Sequence, residues 1–401
     1  MAEYVPTGDR GGRPGETLGD AIGLLRDLVA FDTTSRNSNI DLIDYVTGYL
    51  DRYRIPWRLF PSDDGTKANV FATIGPPVEG GIVLSGHSDV VPIDGQDWTT
   101  DPFRLTERAG RLYARGSADM KGFIACALAM APRFAAADMS APLHLALSYD
   151  EEVGCLGVGR MIEAIGAELP RPAAVIVGEP TGMRIASAHK GICALTTTIR
   201  GREAHSSRPA DGVNAIAFAA EFVGHLYRLC DRLAESRQDP RFDPPHTTFN
   251  TGLIRGGDAI NIIARECIVN WEFRPIPGAD PDTITAEVAR FVEDDLLPRM
   301  RAVDPATSVD TRRELLVPPF DAPEGSAAET IARQATGLNS VGTLAFVTEA
   351  SLFSKAGLPA IICGPGDIAQ AHQPDEFVEI AQLDACLDFM ENLVAPLTKR
   401  R

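Results

Sequence analysis

Short, continuous apolar runs bounded by glycine, proline or polar residues recur along this chain. They occupy residues 82–84, 143–147, 175–177 and 361–362. Runs of this length predict strands that are buried on both faces. Other stretches, residues 17–31 and 40–53, repeat their apolar positions at helical spacing, and the apolar stretch 123–130 predicts a buried helix. The alternation of the two patterns up to about residue 188 predicts βαβ units and a largely parallel sheet.

The pattern changes at residue 189. Strand-like and helical stretches then follow in the order β-α-β-β-α-β, at residues 192–199, 212–230, 247–254, 266–273, 284–297 and 307–312. This order predicts a self-contained ferredoxin-like α+β unit. The sequence therefore predicts a first domain from residues 17–188 and 316–401, with a second domain, residues 189–315, inserted into it. The polar residues 1–16, rich in Gly and Pro, are predicted to be a disordered lead-in.

Composition narrows the class of protein. A chain of 401 residues is long enough for two or three domains, and 44% hydrophobic with 23% charged residues is ordinary for a soluble globular protein. The net charge of −17 argues against nucleic acid or an anionic membrane as a partner. No apolar run approaches the length of a membrane span. Seven cysteines, scattered without paired spacing, predict a reducing cytoplasm.

Acids and imidazoles follow the ends of the predicted buried strands. In open α/β sheets, ligands collect beyond the carboxyl ends of the strands. A single histidine in such a place is more often a structural hydrogen-bonding group, but five segments converge here. Together they predict a metal-dependent hydrolase. The residues are His87, Asp119, Glu151, Glu152, Glu179 and His372, of which Asp119 lies in a Gly-flanked loop before a predicted helix.

Imidazole and carboxylate ligands without thiolates suit Zn, Co or Mn. Two metals that share one bridging carboxylate need five ligands, and this set supplies five with one glutamate to spare. The spare glutamate is a natural general base. Asp89 lies two residues after His87, so both side chains face the same way on an extended segment. We therefore expect Asp89 to accept the second N–H of the His87 imidazole.

From about residue 20 to its end, the chain resembles the M20 family of metallopeptidases and deacylases. The family's motifs stand here as Ser85–Pro92 (Ser-Gly-His-x-Asp-x-Val-Pro), Gly116–Gly122 (Gly-x-x-Asp-x-Lys-Gly), Asp150–Glu152 and Gly178–Thr181 (Gly-Glu-Pro-Thr). A glutamate rather than an aspartate at position 179 resembles the family's deacylases and carboxypeptidases more than its aminopeptidases.

The resemblance implies two divalent metal ions per chain, zinc or cobalt, with Asp119 as the bridging ligand. His87 and Glu179 would complete one metal site, and Glu152 and His372 the other. Glu151 would then be the general base, and Asp89 would support His87.

The resemblance also implies that the inserted domain is a lid that forms a homodimer. His205, within Gly201–Pro209, would reach the active site of the other subunit and stabilise the oxyanion. Lys190, Asn261 and Arg274 match substrate-binding positions, and an arginine suits a carboxylate. Without the resemblance, His205 is an exposed loop histidine, and the other three are surface polar groups.

Residues 347–350 and 363–376 most resemble the branch of the family that removes the acetyl group from N2-acetyl-L-ornithine. Thr348 and Glu349 are the candidate substrate-binding residues in the first stretch. Glu349 would pair with the substrate's side-chain amine, its alternatives being a surface acid or a structural hydrogen-bond acceptor. Other deacylase activities, such as succinyl-diaminopimelate desuccinylase or acetylcitrulline deacetylase, and a family member without catalysis stay open.

Overall fold

The computed structural model describes residues 16–399. The predicted disordered lead-in therefore lies outside the described residues, except for Glu16, where the first helix begins. The α-helices are α1 Glu16–Val29, α2 Ile40–Arg52, α3 Lys121–Ala135, α4 Gly159–Ala164, α5 Ala215–Ser236, α6 Pro281–Phe291, α7 Leu297–Arg301, α8 Ala327–Thr336, α9 Ala350–Lys355 and α10 Ile380–Val394.

Strands occupy shorter segments between these helices. They are β1 Trp57–Pro61, β2 Ala68–Ile74, β3 Ile82–His87, β4 Thr106–Arg108, β5 Arg111–Tyr113, β6 Leu143–Ser148, β7 Ala174–Val177, β8 Ala186–His189, β9 Ile192–Arg200, β10 Thr248–Gly256, β11 Glu266–Arg274, β12 Ser308–Val317, β13 Phe320–Asp321, β14 Gly342–Leu344, β15 Ala360–Ile362 and β16 Phe377–Glu379. Two short 3₁₀ helices, Pro209–Asp211 and Ala395–Leu397, and a π-helical turn, Val292–Leu296, complete the assignment.

The residues gather into two compact units. The first consists of the chain up to Ser187, of Asp321–Gly342 and of the chain from Thr348 onward. The second consists of Ala188–Phe320 and Thr343–Val347. The second unit thus extends five residues beyond the predicted end at residue 315 and takes in a short later segment that the sequence pattern did not mark.

In the first unit, a mixed sheet has the strand order β1-β2-β6-β3-β7-β15-β8. The four central strands β6, β3, β7 and β15 run parallel. The outer pairs β1–β2, β2–β6 and β15–β8 are antiparallel. Every residue of the four central strands is buried. Their continuous apolar runs therefore marked them correctly as central strands of a parallel sheet.

Helices pack around this sheet. The helix α3 contacts α1 and α10, and α10 contacts α8. At Gly178, directly after β7, an added Cβ would lie only 2.1 Å from Cγ of Phe123 on α3. Only glycine fits so close an approach of strand end and helix, and the residue that follows is Glu179. A separate small antiparallel sheet has the order β16-β5-β4.

The second unit has a four-stranded sheet of order β10-β11-β9-β12, and all of its neighbouring strands are antiparallel. With the helices α5 and α6, this is the predicted ferredoxin-like order β-α-β-β-α-β. Buried residues alternate along β9 and β11, and their inward faces pack on α5 around Phe222 and Trp271.

Capping residues explain why two predicted helix starts were wrong. The Asn214 side chain accepts hydrogen bonds from the backbone N–H groups of Ile216 and Ala217, so α5 begins at Ala215 rather than at residue 212. The Asp280 carboxylate caps α6, with Pro281 as its first residue, so this helix begins three residues before the prediction.

All seven cysteines of the chain are free in this structure. Within residues 16–399, we find no helix whose length and apolar character would let it cross a membrane.

Candidate metal centre

The parallel strands deliver their polar side chains to one edge of the first unit's sheet. His87 is the last residue of β3, and Glu151 and Glu152 lie in the turn after β6. Glu179 lies two residues after β7, and His372 lies in the loop after β15. Because β6, β3, β7 and β15 are adjacent and parallel, their carboxyl ends meet at the same place.

Asp119 stands between the two histidines. Its Oδ1 lies 3.0 Å from Nε2 of His87, and its Oδ2 lies 3.4 Å from Nε2 of His372. His372 Nε2 also lies 3.1 Å from Oε2 of Glu152. Each carboxylate oxygen of Asp119 therefore faces a different imidazole, which is the arrangement that a carboxylate bridging two metals requires.

Two overlapping groups of side chains can each surround a cation. Ligand atoms of His87, Asp119 and Glu152 lie within 4.8 Å of one another, and so do those of His87, Glu151 and Glu179. The second group includes Glu151, which the sequence analysis assigned as the base. All of these residues are buried except Glu152, which is partly buried, and His372 is half-exposed.

Burial and crowding of like charges shift the titration of the acids. Burial raises the pKa of Glu151 and Glu179 well above its usual value, and neighbouring carboxylates add to the effect. Burial and the adjacent Asp119 raise the pKa of Glu152 to about 7. Burial also disfavours ionisation of Asp119, but the hydrogen bonds from His372 and His87 outweigh it and lower the pKa of Asp119.

These donors fit a pair of divalent metal ions. The Oε1 atom of Glu179 is buried and has no hydrogen-bond partner, although His87 Nε2 lies 3.8 Å away. A buried carboxylate oxygen without a partner is costly, and a cation beside it would remove that cost. The donor set contains imidazole nitrogens and carboxylate oxygens but no thiolate, which suits zinc or cobalt.

The structure corrects the expectation for Asp89. His87 Nδ1 lies 2.9 Å from the backbone carbonyl oxygen of Asp89, whereas the nearer carboxylate oxygen is 3.7 Å away. The strand ends at His87, so the alternation of side chains does not continue to Asp89 and the ring meets the backbone instead. The Asp89 carboxylate accepts hydrogen bonds from the backbone N–H groups of Glu151 and Glu152, at 3.1 and 3.3 Å.

Glu349 lies inside the first unit. It is 1% exposed, so it is not a surface acid. Its Oε2 lies 3.4 Å from the Ser85 hydroxyl, and its Oε1 is buried without a hydrogen-bond partner. Burial raises the pKa of Glu349 to about 7, although the neighbouring Ser148 hydroxyl favours the ionised form. The neighbouring Thr348 is fully buried, and its hydroxyl oxygen accepts the backbone N–H of Ala350.

Two candidate residues of the second unit, Lys190 and Arg274, have partners within that unit. The Lys190 ammonium donates to the carbonyl oxygens of Pro244 and His246, at 2.7 and 2.9 Å. Burial lowers the pKa of Lys190, and the charge of Arg274 lowers it further. Arg274 donates from Nε to Glu272 at 3.0 Å, and Asn261 is exposed.

His205 is exposed on a loop of the second unit. Its Nδ1 accepts the backbone N–H of Ser207 at 3.1 Å and lies 2.8 Å from the Ser207 hydroxyl. Because Nδ1 is an acceptor, the neutral ring carries its proton on Nε2. The imidazole therefore presents an N–H donor on its other side.

A buried ion pair that the sequence analysis did not identify supports Asp119. Arg115 Nη1 lies 2.7 Å from Oε2 of Glu376, and both side chains are 1% exposed. The Oε1 atom of Glu376 accepts the backbone N–H groups of Ala118 and Asp119, at 2.9 and 3.1 Å. Arg115 directly precedes the motif Gly116–Gly122, and Glu376 ends the stretch 363–376, but their separation of 261 positions gave no sign that they pair.

Comparison with known proteins places the chain in a family. The profile of peptidase family M20/M25/M40 matches residues 83–395, and the chain belongs to this family. It is a metal-dependent amide hydrolase. The family and this class of activity, both predicted from the sequence, are confirmed.

Two curated relatives are similar over almost their whole length. The acetylornithine deacetylase of Myxococcus xanthus is 39% identical over 392 residues, which cover 95% of this chain and 98% of the relative. The acetylornithine deacetylase of Proteus mirabilis is 35% identical over 381 residues, covering 93% and 95%. Among solved structures, an M20 family metallo-carboxypeptidase from Sulfolobus solfataricus shares the fold, with a TM-score of 0.74 at 17% identity over 94% of this chain and 98% of that one.

Proposed function

We propose that this chain hydrolyses N2-acetyl-L-ornithine to L-ornithine and acetate, as a homodimer with two divalent ions, zinc or cobalt, in each chain. The reaction class follows from the family. The choice of substrate is supported by relatives at 39% and 35% identity that carry this activity in their names and match this chain nearly end to end. The observation that carries the proposed chemistry is Asp119, which faces His87 with one oxygen and His372 with the other.

The metal sites are assigned from this geometry and from the family resemblance. Asp119 would be the shared ligand, His87 and Glu179 would complete one site, and Glu152 and His372 would complete the other. Bound divalent ions would polarise the acetyl carbonyl and make water more acidic. The neutral imidazoles and ionised carboxylates that hold them make occupancy fall at acid pH.

Glu151 moves the proton in this proposal. It takes a proton from the attacking water and gives it to the leaving α-amine. Its carboxylate is buried beside His87 and Glu179, and burial raises its pKa, which favours holding a proton between the two steps. The Nε2–H of the partner chain's equivalent of His205 donates to the oxyanion of the tetrahedral intermediate.

Substrate recognition uses the two charged ends of acetylornithine. Arg274, with Lys190 and Asn261, binds the α-carboxylate. Glu349, with Thr348 beside it, binds the side-chain ammonium. The unpartnered, buried Oε1 of Glu349 supports this assignment, because a cationic group would satisfy it.

The second unit is proposed as the lid and the dimerisation domain. Its strand β10 is at the edge of the sheet. Four apolar side chains on this strand and the loop that follows are exposed, with Ile260 completely so; they are Leu253, Ile254, Ile260 and Ile262. An unpaired strand edge beside exposed apolar groups is a typical surface for pairing with a second copy.

Steady-state kinetics on a substrate panel tests the proposal. The protein is stripped with a chelator and reloaded with zinc or cobalt, and kcat/KM is measured for N2-acetylornithine, N-succinyl-diaminopimelate and N-acetylcitrulline. We expect acetylornithine to exceed both others by at least about tenfold, and we expect no activity before metal is restored. Preference for the succinylated substrate would make the protein a desuccinylase. If the metal-loaded protein hydrolysed none of these substrates, the remaining interpretation would be a family member that has lost catalysis.

A further inference from the structure

The turn Asp150–Glu152, which we call the acid turn, is held from two sides by polar groups outside the metal cluster, one buried and the other partly buried. We propose that Ser35 and Lys67 are positioning residues for the reaction, acting on the acid turn through Asp89 and Asp150. The inference rests on the proposed roles of Glu151 as the base and Glu152 as a metal ligand. Neither Ser35 nor Lys67 belongs to a motif that the sequence analysis identified.

Asp89 holds the backbone of the acid turn. Its two carboxylate oxygens each accept one backbone N–H, Oδ1 from Glu151 and Oδ2 from Glu152. The Ser35 hydroxyl donates to the same Oδ2 at 2.7 Å, and both side chains are buried, with Ser35 7% and Asp89 2% exposed. Three donors therefore converge on one carboxylate. Among the described contacts, the Ser35 hydroxyl is the only side chain that donates a hydrogen bond to the Asp89 carboxylate. Without it, the rotamer of Asp89 would be held less firmly.

Lys67 holds the other side of the turn. Its ammonium pairs with the Asp150 carboxylate and also donates to the backbone carbonyl of Ser35. The side chains of Lys67 and Asp150 are only 16% and 18% exposed, so water screens this pair less than a surface pair. The loop that contains Ser35 is therefore connected to the acid turn in two ways, through Asp89 and through Lys67 and Asp150.

The conformation of the turn makes such support necessary. Asp150, the first residue of the acid turn, has a φ of +57°, and Cys155, three residues after the turn, has the same value, so both non-glycine residues lie in the left-handed region. This region costs most side chains free energy and persists only where surrounding contacts enforce it. A turn relaxed toward ordinary angles would move both Glu151 and Glu152, because their backbone amides are the groups that Asp89 fixes.

The expected consequence is a loss in the rate of the chemical step. Substrate contacts lie elsewhere in the proposed function, so KM should change little. The metal ligand Glu152 sits on the same turn, so zinc affinity should fall as well. Hydrogen-bonded groups behind a metal site are typically worth about 10–100-fold in metal affinity or activity.

The test uses the full-length, metal-loaded protein and the panel substrate that the wild type hydrolyses fastest. Ser35→Ala and Lys67→Met are the disrupting variants, and Lys67→Arg keeps a cation in place. Ser38→Ala is a matched control, because Ser38 lies in the same loop but its hydroxyl donates to the Thr66 carbonyl at an exposed site. Lys399→Met is the second control and breaks an exposed ion pair with Asp138.

We expect kcat to fall by about 10–100-fold in Ser35→Ala and Lys67→Met, with KM within about twofold of the wild type. Zinc affinity, measured by competition with a chelator, should fall in the same two variants, and Lys67→Arg should recover most of kcat. Both controls should match the wild type. If Lys67→Met does not fold, Ser35→Ala carries the test alone.

Wild-type kcat and zinc affinity in folded Ser35→Ala would overturn the inference, and so would a lower Tm as the only change. Both results would leave the proposed function intact. An inactive wild type would instead count against the proposed function, and zinc affinity would still report on the acid turn.

Discussion

Two adjacent glutamates share the turn after β6, yet their surroundings differ. Glu152 lies beside His372, at 3.1 Å from its Nε2, whereas Glu151 receives a hydrogen bond from the Cys155 thiol at 3.4 Å. Geometry alone allows either residue to hold a metal, because Glu151 clusters with His87 and Glu179 and Glu152 with His87 and Asp119. Substitution by glutamine separates the two roles.

Glu151→Gln should lower kcat by at least about 10²–10⁴-fold, because the shape stays and proton transfer is lost. Its metal content, measured by elemental analysis, should stay near two ions per chain as in the proposed holoenzyme. Glu152→Gln should instead lose one ion. Reversed metal contents in the two variants would exchange the roles of the two residues.

Glu349 tests the choice of substrate. If it meets the ornithine ammonium in a dry pocket, Glu349→Gln leaves that cation poorly solvated, and kcat/KM on acetylornithine should fall by tens- to hundreds-fold, or about 2–3 kcal/mol. N-acetylmethionine has a neutral side chain of similar length, so it should lose much less. The ratio of the two losses is the measurement. Equal losses would assign Glu349 to structural support of the neighbouring Ser85 and Ser148.

His144 predicts a pH dependence that is separate from the metal centre. It is fully buried on β6 beside Thr73, and burial lowers its pKa to about 4. A folded-state pKa below the unfolded value of about 6.5 means that the neutral ring favours folding above pH 6.5. The contribution of the neutral His144 ring to the free energy of unfolding, about 3 kcal/mol, is lost as the pH falls from 6.5 to 4.

The measurement for His144 is the urea unfolding free energy of metal-free protein between pH 4 and pH 7.5. His144→Gln cannot titrate, so its stability should fall less steeply than that of the wild type over this range. Parallel curves for the two proteins would show that His144 does not take up a proton on unfolding.

At the scale of the secondary structure elements, Arg115 and Glu376 join the loop before α3 to the segment that leads into β16. Glu376→Gln would leave the fully buried Arg115 without its counter-charge, and breaking a buried pair in this way costs about 3–5 kcal/mol. We expect a lower urea midpoint and weaker zinc binding, because Glu376 also holds the backbone of Asp119.

The exposed pair Arg111–Glu379 is the control for the buried pair Arg115–Glu376. Glu379 pairs with Arg111 at 3.3 Å on the strands β16 and β5, but both side chains are about half-exposed. Glu379→Gln should therefore change stability by less than about 1 kcal/mol. A comparable loss in both variants would mean that burial of the Arg115–Glu376 pair contributes nothing specific.

The sequence predicted those elements whose signal is local. The buried strands β3, β6 and β7 were recognisable because each run is predominantly apolar, and the histidine and acids at their ends were therefore placed on one edge. The contact between His87 and the Asp89 backbone was not predictable, because it depends on where β3 ends. The pairing of Arg115 with Glu376, and of Lys67 with Asp150, depends on tertiary contacts between distant segments and leaves no periodic signal.

At the scale of the whole molecule, the proposed site is shared between two chains. His205 keeps an Nε2–H donor because its Nδ1 is occupied by Ser207. An oxyanion donor is typically worth about 10²–10³-fold in kcat. His205→Ala and Glu151→Gln homodimers should each be nearly inactive, the first for want of the donor and the second for want of the base.

Two heterodimers with differently tagged chains decide whether the site is shared. When His205→Ala is in one chain and Glu151→Gln in the other, the chain with the intact base receives an intact His205, so one site of two should work. When both substitutions are in one chain and the partner is wild type, the base-containing site receives alanine and neither site should work. If each site belonged to a single chain, the outcomes would be reversed. The first heterodimer would be inactive, and the second would be active because its wild-type chain carries both residues. Activity per verified heterodimer, measured under conditions that prevent subunit exchange, therefore distinguishes the two arrangements by opposite outcomes.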